Sequence, residues 1–529
     1  MQIKRRMAVF TSILALAIIA AVVVTVNSGS GGQRVPGGAA TDERFAEEQA
    51  EFLGTAKIRN GEPTDASPVA LPAREISAEE GPLPQILQRA AMPQTFGRID
   101  YIPNKEWEGE KLFGRQNDWE PDIAADPNDP YVYVATTRYG KGNQACLDCP
   151  LPALVYRVSD DNGDTWGPVK YLCKCKGAGW QADPQVEVAD DGTIYALILQ
   201  NWHTLLVKST DHGETFGPPV DVAPALPGIP PKNHWTDHGF LTISPDGQDV
   251  FVAFNHADSW VVASHNGGAT FGTPAMTSPP SDHGVLYYYH YKGAVTAGGT
   301  VNIAATSFTR QPFANNLVRY YDLRSTDNGA TWEQVSLDTF EAYPGCVKNR
   351  CRPDHLGGQA GIAADSAGNL IATFAGTRTA RIGQMIFTST SVDGGATWTE
   401  SLRVSPTFAD DSASAAARAV NRRRVLASFP QVVGTGTCDF RLWWQDDWKN
   451  IDSWNTWETT SVDCGSTWTE QVRISDATNG AGYKHPAGYF ADYGDYGGIA
   501  VMTDGRTIAA WGEAYSYWGP GGTWINREI

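Results

Sequence analysis

Ser391-Val392-Asp393-Gly394-Gly395-Ala396-Thr397-Trp398 decides how this chain is read, because five other stretches repeat its pattern. They are SDDNGDTW from Ser159, STDHGETF from Ser209, SHNGGATF from Ser264, STDNGATW from Ser325 and SVDCGSTW from Ser461. The common form is S-x-D-x-G-x-T-aromatic, with Asn266 in place of the aspartate in the third copy. The aspartate side chain accepts hydrogen bonds from backbone N–H groups of its own turn, and the glycine takes a positive φ. The closing Trp or Phe folds beneath the turn as an apolar plug. Each copy therefore reads as the tip of a β-hairpin.

A second pattern alternates with the first. It appears as Asp122–Thr136, Gln185–Leu199, Phe240–Phe254, Gly293–Thr306, Gly361–Phe374 and Gly498–Trp511, and more weakly around Val425–Phe429. Period-two apolar alternation about a central turn makes each a two-stranded hairpin. Paired with the octapeptide turns, these hairpins build four-stranded units of the kind that close into a propeller. The count favours seven blades over six. For the seventh, Ala514–Arg527 is expected to supply the outer hairpin, with Gly521-Gly522-Thr523-Trp524 as a decayed copy of the octapeptide.

The octapeptide run resembles the Asp-box (bacterial neuraminidase, BNR) repeats of sialidase-like β-propellers. The resemblance covers about Asp118 to Trp524 and implies an all-β, single-propeller fold. In that family the Asp boxes lie on the face opposite the active site. The loops at the other end of the blades thus become the functional face.

Outside the repeats, Lys4, Arg5 and Arg6 precede an apolar run from Met7 to Val26. Its length suits an uncleaved signal anchor, with a cleaved signal peptide as the alternative. Either predicts export, and membrane contact through residues 7–26. Residues 27–95 read as a flexible linker and 96–529 as the propeller domain. The chain carries 59 acidic against 41 basic residues, a net charge of −18, which argues against a nucleic-acid partner. Its eight cysteines fall in tight groups: Cys146 and Cys149, Cys173 and Cys175, Cys346 and Cys351, Cys438 and Cys464. Disulfides are expected in an exported chain, Cys438–Cys464 among them, and zinc ligation by the first four is the competing reading. A monomer needing no cofactor is expected.

Blade logic sends Trp, Tyr, His, Arg and carboxylates to the functional face, a set suited to sugars. Three chemistries fit it. A sialidase-type glycoside hydrolase, as the resemblance implies, needs an arginine cluster, a Tyr–Glu pair and an acid. Arg138, Arg310 and Arg378 hold equivalent blade positions, Glu513 can pair with Tyr493 or Tyr515, and Asp118 can serve as the acid. The family's Arg-Ile-Pro motif is split here, as Arg98-Ile99-Asp100-Tyr101-Ile102-Pro103. A lyase on uronate-containing chains would draw its base from His234, His238, His256 or His290. It would take its neutralising cation from Arg310 or Lys292 and its acid from Tyr288, Tyr289 or Tyr291. The third reading is a non-catalytic glycan- or protein-binding propeller, with Trp202 among its aromatic platforms. A metal site from His234, Asp237, His238 and His256 is a further alternative to the expectation of none.

Overall fold

The computed structural model describes residues 107–112, 118–138, 152–172, 179–309 apart from 257 and 284, 317–341 and 359–378. It continues with 384–405, 427–475 apart from 451–452, 481–482, 497–514 and 521–529, and adds two paired strands at Lys57–Ile58 and Glu62–Pro63. The apolar run 7–26 lies outside these residues, and among the described ones no helix is long and apolar enough to cross a membrane.

Seven antiparallel sheets radiate from a central channel. Their innermost strands are Asp118–Ala125, Gln181–Val188, Asp237–Ile243, Leu286–Val295, Ala360–Ala364, Ala427–Gly436 and Gly497–Val501, which number the blades 1 to 7. Each innermost strand touches the next, and that of blade 7 returns to blade 1, so the ring is closed. Blade 6 carries a fifth short strand, Ala481–Gly482, paired with Ser453–Trp454.

Local chemistry explains the blades. In all six octapeptide turns the serine Oγ donates to the Asp or Asn Oδ1 at 2.7–2.9 Å. The same Oδ1 accepts the N–H of the threonine at 2.8–3.0 Å. The residue before the conserved glycine is also left-handed in every copy: Asn162, His212, Gly267, Asn328, Gly394 and Cys464. Hydrogen bonds from Thr215 and Thr397 hold the carboxyls of Asp211 and Asp393 down at about 2.

Blade 7 departs from the sequence expectation. Gly521–Glu528 is its third strand, with Trp524 opposite Trp511 and Thr523 opposite Gly512. The presumed decayed turn is therefore extended backbone. The fourth strand is Trp107–Lys111, from the N-terminal side of blade 1, paired from Trp107↔Glu528 to Lys111↔Trp524. One blade is thus built from both ends of the propeller.

The core lies between blades, in separate wedges. Val132, Val134 and Val155 of blade 1 pack on Ile508, Ala510 and Ile525 of blade 7. Leu197 and Leu206 of blade 2 meet Val250, Val252 and Phe254 of blade 3. In blade 6 a Cys438–Cys464 disulfide ties the inner hairpin's turn to the octapeptide turn, as the sequence suggested. The other six cysteines lie outside the described residues.

Candidate functional site

The innermost strands of blades 1, 2, 3 and 6 share one irregularity. Each carries a β-bulge near its start, between Trp119 and Asp122, Ala182 and Gln185, Asp237 and Phe240, and Ser428 and Gln431. Within each bulge one non-glycine residue has positive φ: Glu120 (55°), Asp183 (52°), His238 (51°) and Phe429 (59°). Such a conformation costs on the order of 1–3 kcal/mol and turns a side chain out of the strand's alternation. Phe429 shows that the bulge itself belongs to the fold. What differs in blades 1 to 3 is the chemistry mounted on it: two carboxylates and an imidazole. The bulges also bolt neighbouring blades together, since Asp183 N–H donates to Thr137 Oγ1 at 3.1 Å and Phe429 N–H to Gln359 Oε1 at 2.8 Å.

The bulged ends belong to the face away from the octapeptide turns. The turns share their own face with the inner-hairpin turns: Asn162 N–H donates to Pro130 O at 2.9 Å, and Thr503 Oγ1 to Asn162 Oδ1 at 3.0 Å. Glu120, Asp183 and His238 therefore stand at the opposite mouth of the channel.

Just below them a partly buried ion triad crosses the channel, with Asp122 its one buried member. Lys292 of blade 4 lies 2.8 Å from Asp122 Oδ1 of blade 1 and 3.2 Å from Glu187 Oε1 of blade 2. Burial alone would lower the lysine's affinity for its proton, but the two carboxylates more than offset it and raise its pKa. Burial pushes the Glu187 carboxyl up against the opposing pull of Lys292, although 30% of its side chain stays open to the channel. Asp122 Oδ2 also accepts the N–H of Val186 at 2.8 Å. This triad commits Lys292, the proposed neutraliser of a uronate, to the channel floor.

Beside the mouth, blades 2 to 4 pack a buried aromatic cluster, in which Trp235, His238, His256, Tyr289 and Tyr291 are all at most 6% exposed. The His238 ring stacks on Tyr289 with centroids 3.9 Å apart and meets Tyr291 edge-on at 5.5 Å. His256 Nδ1 is 2.9 Å from Trp235 O, and its ring lies 4.5 Å from the Trp235 ring. Farther out, His203 and His234 are 5.1 Å apart, and His203 Nδ1 sits 3.0 Å from Asp221 Oδ2. The Asp221 hydrogen bond raises the His203 pKa, whereas burial lowers that of His234. Trp202 and Trp180 meet edge-to-face at 4.8 Å.

The remaining sequence candidates are dispersed. Arg138 makes a bidentate bond to Asp118, Nε to Oδ1 at 2.7 Å and Nη2 to Oδ2 at 2.9 Å, with both side chains buried. Arg378 binds Asp338 on the outer strand of blade 4 and lies 4.2 Å over the Phe340 ring. Arg138 and Arg378 are thus drawn to different carboxylates in different blades, and Arg310 lies outside the described residues. Glu513, buried in blade 7, accepts the Trp511 indole N–H at 3.0 Å, while Tyr493 and Tyr515 lie outside the described residues. His290 is fully buried, 2.7 Å from Ser259 Oγ, and burial pushes its pKa down to about 3. Tyr288 is also fully buried, its hydroxyl bonded to Asp282. Among the described residues, the group able to bring three ligand atoms within 4.8 Å of one another is Asp365, Cys438 and Cys464, whose two sulfurs form the disulfide.

The sequence places Glu120 and Asp183 in loop segments of the functional face, Arg115–Glu120 and Trp180–Asp183, without singling them out as site residues. Their signal was present: Glu120-Pro121, Asp183-Pro184 and Phe429-Pro430 each put a proline inside a strand, which points to a bulge.

No family model and no curated protein matches the chain. Among solved structures it is similar to YCF48 bound to a D1 peptide, at 11% identity over 82% of this chain and 99% of that one, TM-score 0.39. It is similar to the NanB sialidase of Streptococcus pneumoniae, at 12% identity over 81% and 70%, TM-score 0.38. It is also similar to a Penicillium chrysogenum alpha-L-arabinanase complexed with arabinobiose, at 11% identity over 81% and 96%, TM-score 0.41. Similarity at this level assigns no residue role here.

Proposed function

We propose that this chain is an exported, monomeric, carbohydrate-active propeller, held at a membrane through residues 7–26 or released. In this reading it hydrolyses a glycosidic bond at the channel mouth of blades 1 to 3. The observation that carries it is the left-handed bulge that sets Glu120, Asp183 and His238 at matching places in three successive blades. Two carboxylates on the bulges of neighbouring blades suit glycoside hydrolysis. One carboxyl gives its proton to the leaving oxygen as the C–O bond breaks; the other draws a proton from water, or attacks the anomeric carbon and is then released by water. Each cleavage adds one water to the products.

A neutral glycan fits better than a sialylated one. The innermost strands of blades 1 and 2 carry Asp118, Glu120, Asp122, Asp183 and Glu187, while Arg138 and Lys292 already bind members of that set. A substrate carboxylate would face those of Glu120 and Asp183.

The test is turnover of a panel of neutral, sialylated and uronate-containing glycans by the full chain and by Glu120→Gln and Asp183→Asn. Removing a catalytic carboxyl is expected to cut kcat by 10²-fold or more with native thermal unfolding retained. Unchanged kcat in both variants would remove these residues from the chemistry. Unsaturated products from uronate chains would move the reading to a lyase.

A further inference from the structure

The third octapeptide turn, Ser264–Phe271, is the copy that combines an asparagine with a phenylalanine, and both residues line one open cavity. The cavity measures about 420 Å³, within the range of about 300–1,000 Å³ in which small-molecule sites fall. It lies on the octapeptide face. Its walls are the third and fourth strands of blade 3, Asp258–Ser264 and Ala275–Met276, and the blade 4 turn at Gly329-Ala330.

The asparagine changes the chemistry of the turn. In the five aspartate copies the threonine hydroxyl donates to the carboxylate Oδ2 at 2.5–2.7 Å. An amide nitrogen cannot accept that proton. In the third copy the bond therefore runs the other way, with Asn266 Nδ2 donating to Thr270 Oγ1 at 2.8 Å. Thr270 keeps its own O–H to give, on an exposed residue that lines the cavity. The same substitution removes a charge. Among the described residues lining the cavity none carries a carboxylate, an ammonium or a guanidinium, in a chain whose net charge is −18.

The phenylalanine leaves room. At the matching place Trp332 and Trp398 donate their indole N–H to Gly329 O and Gly395 O, each at 3.1 Å. Phe271 is smaller, lacks that donor and stays half-buried, lining the cavity with Val261, Ala263 and Ala275. Polar groups complete the lining. His265 is exposed, with its Nδ1 2.7 Å from Asp249 Oδ1, and Asn328 of blade 4 donates to the same oxygen at 3.0 Å. With Nδ1 so engaged, His265 Nε2 remains for a ligand.

We propose that this cavity binds one uncharged sugar ring, on the face of the propeller opposite the mouth. The apolar residues suit the C–H face of the ring, and Thr270 and His265 suit its hydroxyls. A charged ligand would find no opposite charge there to offset its desolvation. The site is independent of any chemistry at the mouth.

Two substitutions restore the common pattern. Asn266→Asp returns the carboxylate and its bond from threonine, and Phe271→Trp refills the cavity. Binding of the methyl glycosides of glucose, galactose, mannose, N-acetylglucosamine and arabinose to the full chain is followed by ligand-observed NMR titration. Thermal unfolding and glycan turnover are measured alongside. Wild type is expected to bind at least one of the five, and each variant to bind it at least tenfold more weakly. Both variants are expected to unfold no earlier than wild type and to keep its turnover. If either unfolds earlier, Thr270→Val, which deletes the freed hydroxyl at an exposed position, decides by the same tenfold loss. Unaltered binding in the variants would place the sugar elsewhere and overturn this site, leaving the hydrolytic reading intact. Wild type binding none of the five would overturn it too. Variant-sensitive binding by a chain that cleaves no glycan would uphold this site and remove the hydrolytic reading.

Discussion

At the scale of single residues, the structure separates groups that sequence position treats as equivalent. Arg138 ends the second strand of blade 1 and Arg378 follows the second strand of blade 5, Leu370–Gly376, yet one is buried against Asp118 and the other lies over Phe340. Blade position gives a side chain's height, whereas its direction depends on which neighbour offers a carboxylate or a ring. His290 illustrates a second consequence of burial. Its neutral ring is enclosed beside Ser259, and its pKa falls to about 3, well under the unfolded value of 6.5. Between these values the unfolded chain binds a proton that the native one does not. Stability is therefore expected to fall as pH drops from about 6.5 toward 3. Measured by thermal unfolding between pH 6.5 and 4.5, the decline should be shallower in His290→Gln, and equal slopes would assign it to other groups. The aspartates of the octapeptide turns act only at lower pH, because Asp211 and Asp393 titrate near 2 against an unfolded value of 3.8.

At the scale of elements, the six octapeptide turns were legible because each is a closed set of short-range hydrogen bonds within eight residues. A serine, an aspartate or asparagine, a glycine and a threonine dictate the turn wherever they stand. The Cys438–Cys464 bridge was legible for a related reason, since both residues fall at turns of one blade, 26 positions apart. Its removal in the double variant Cys438→Ala/Cys464→Ala is expected to cost ~2–4 kcal/mol in denaturant unfolding. A loss under ~0.5 kcal/mol would show that the turn hydrogen bonds, such as Cys464 N–H to Cys438 O, already fix blade 6. The bulges were less legible. A proline in an apolar run announces an irregular strand, but His238-Gly239 reaches the same conformation without one. Gly239 serves there by size, since a Cβ would come within 2.9 Å of Thr204.

At the scale of the whole molecule, the sequence yields the number of blades but not the closure. Trp107–Lys111 completes blade 7 from the far end of the propeller, and no local pattern connects it to Gly521–Glu528. The strand is short, and its partner's first residues, Gly521–Trp524, read like a degraded turn, so the nearer pairing looked sufficient. Closure also joins blades 1 and 7 by a side chain, as Arg157 of blade 1 binds the carbonyl of Leu112. A chain beginning at Asp118 is expected to unfold at lower temperature and with less cooperativity than the full one, and to be cleaved first by protease in blade 7. Unfolding indistinguishable from the full chain would mean that the inter-blade wedges hold the ring without this strand.

The central proposal is that the channel mouth of blades 1 to 3 cleaves sugars with Glu120 and Asp183. The most direct measurement is mass spectrometry of products formed by the full chain from neutral oligosaccharides in ¹⁸O-enriched water. The expected result is one labelled oxygen at each new reducing end, absent from Glu120→Gln and Asp183→Asn. Unlabelled, uncut substrate with the wild-type chain, or labelled products that persist undiminished in both variants, would contradict it.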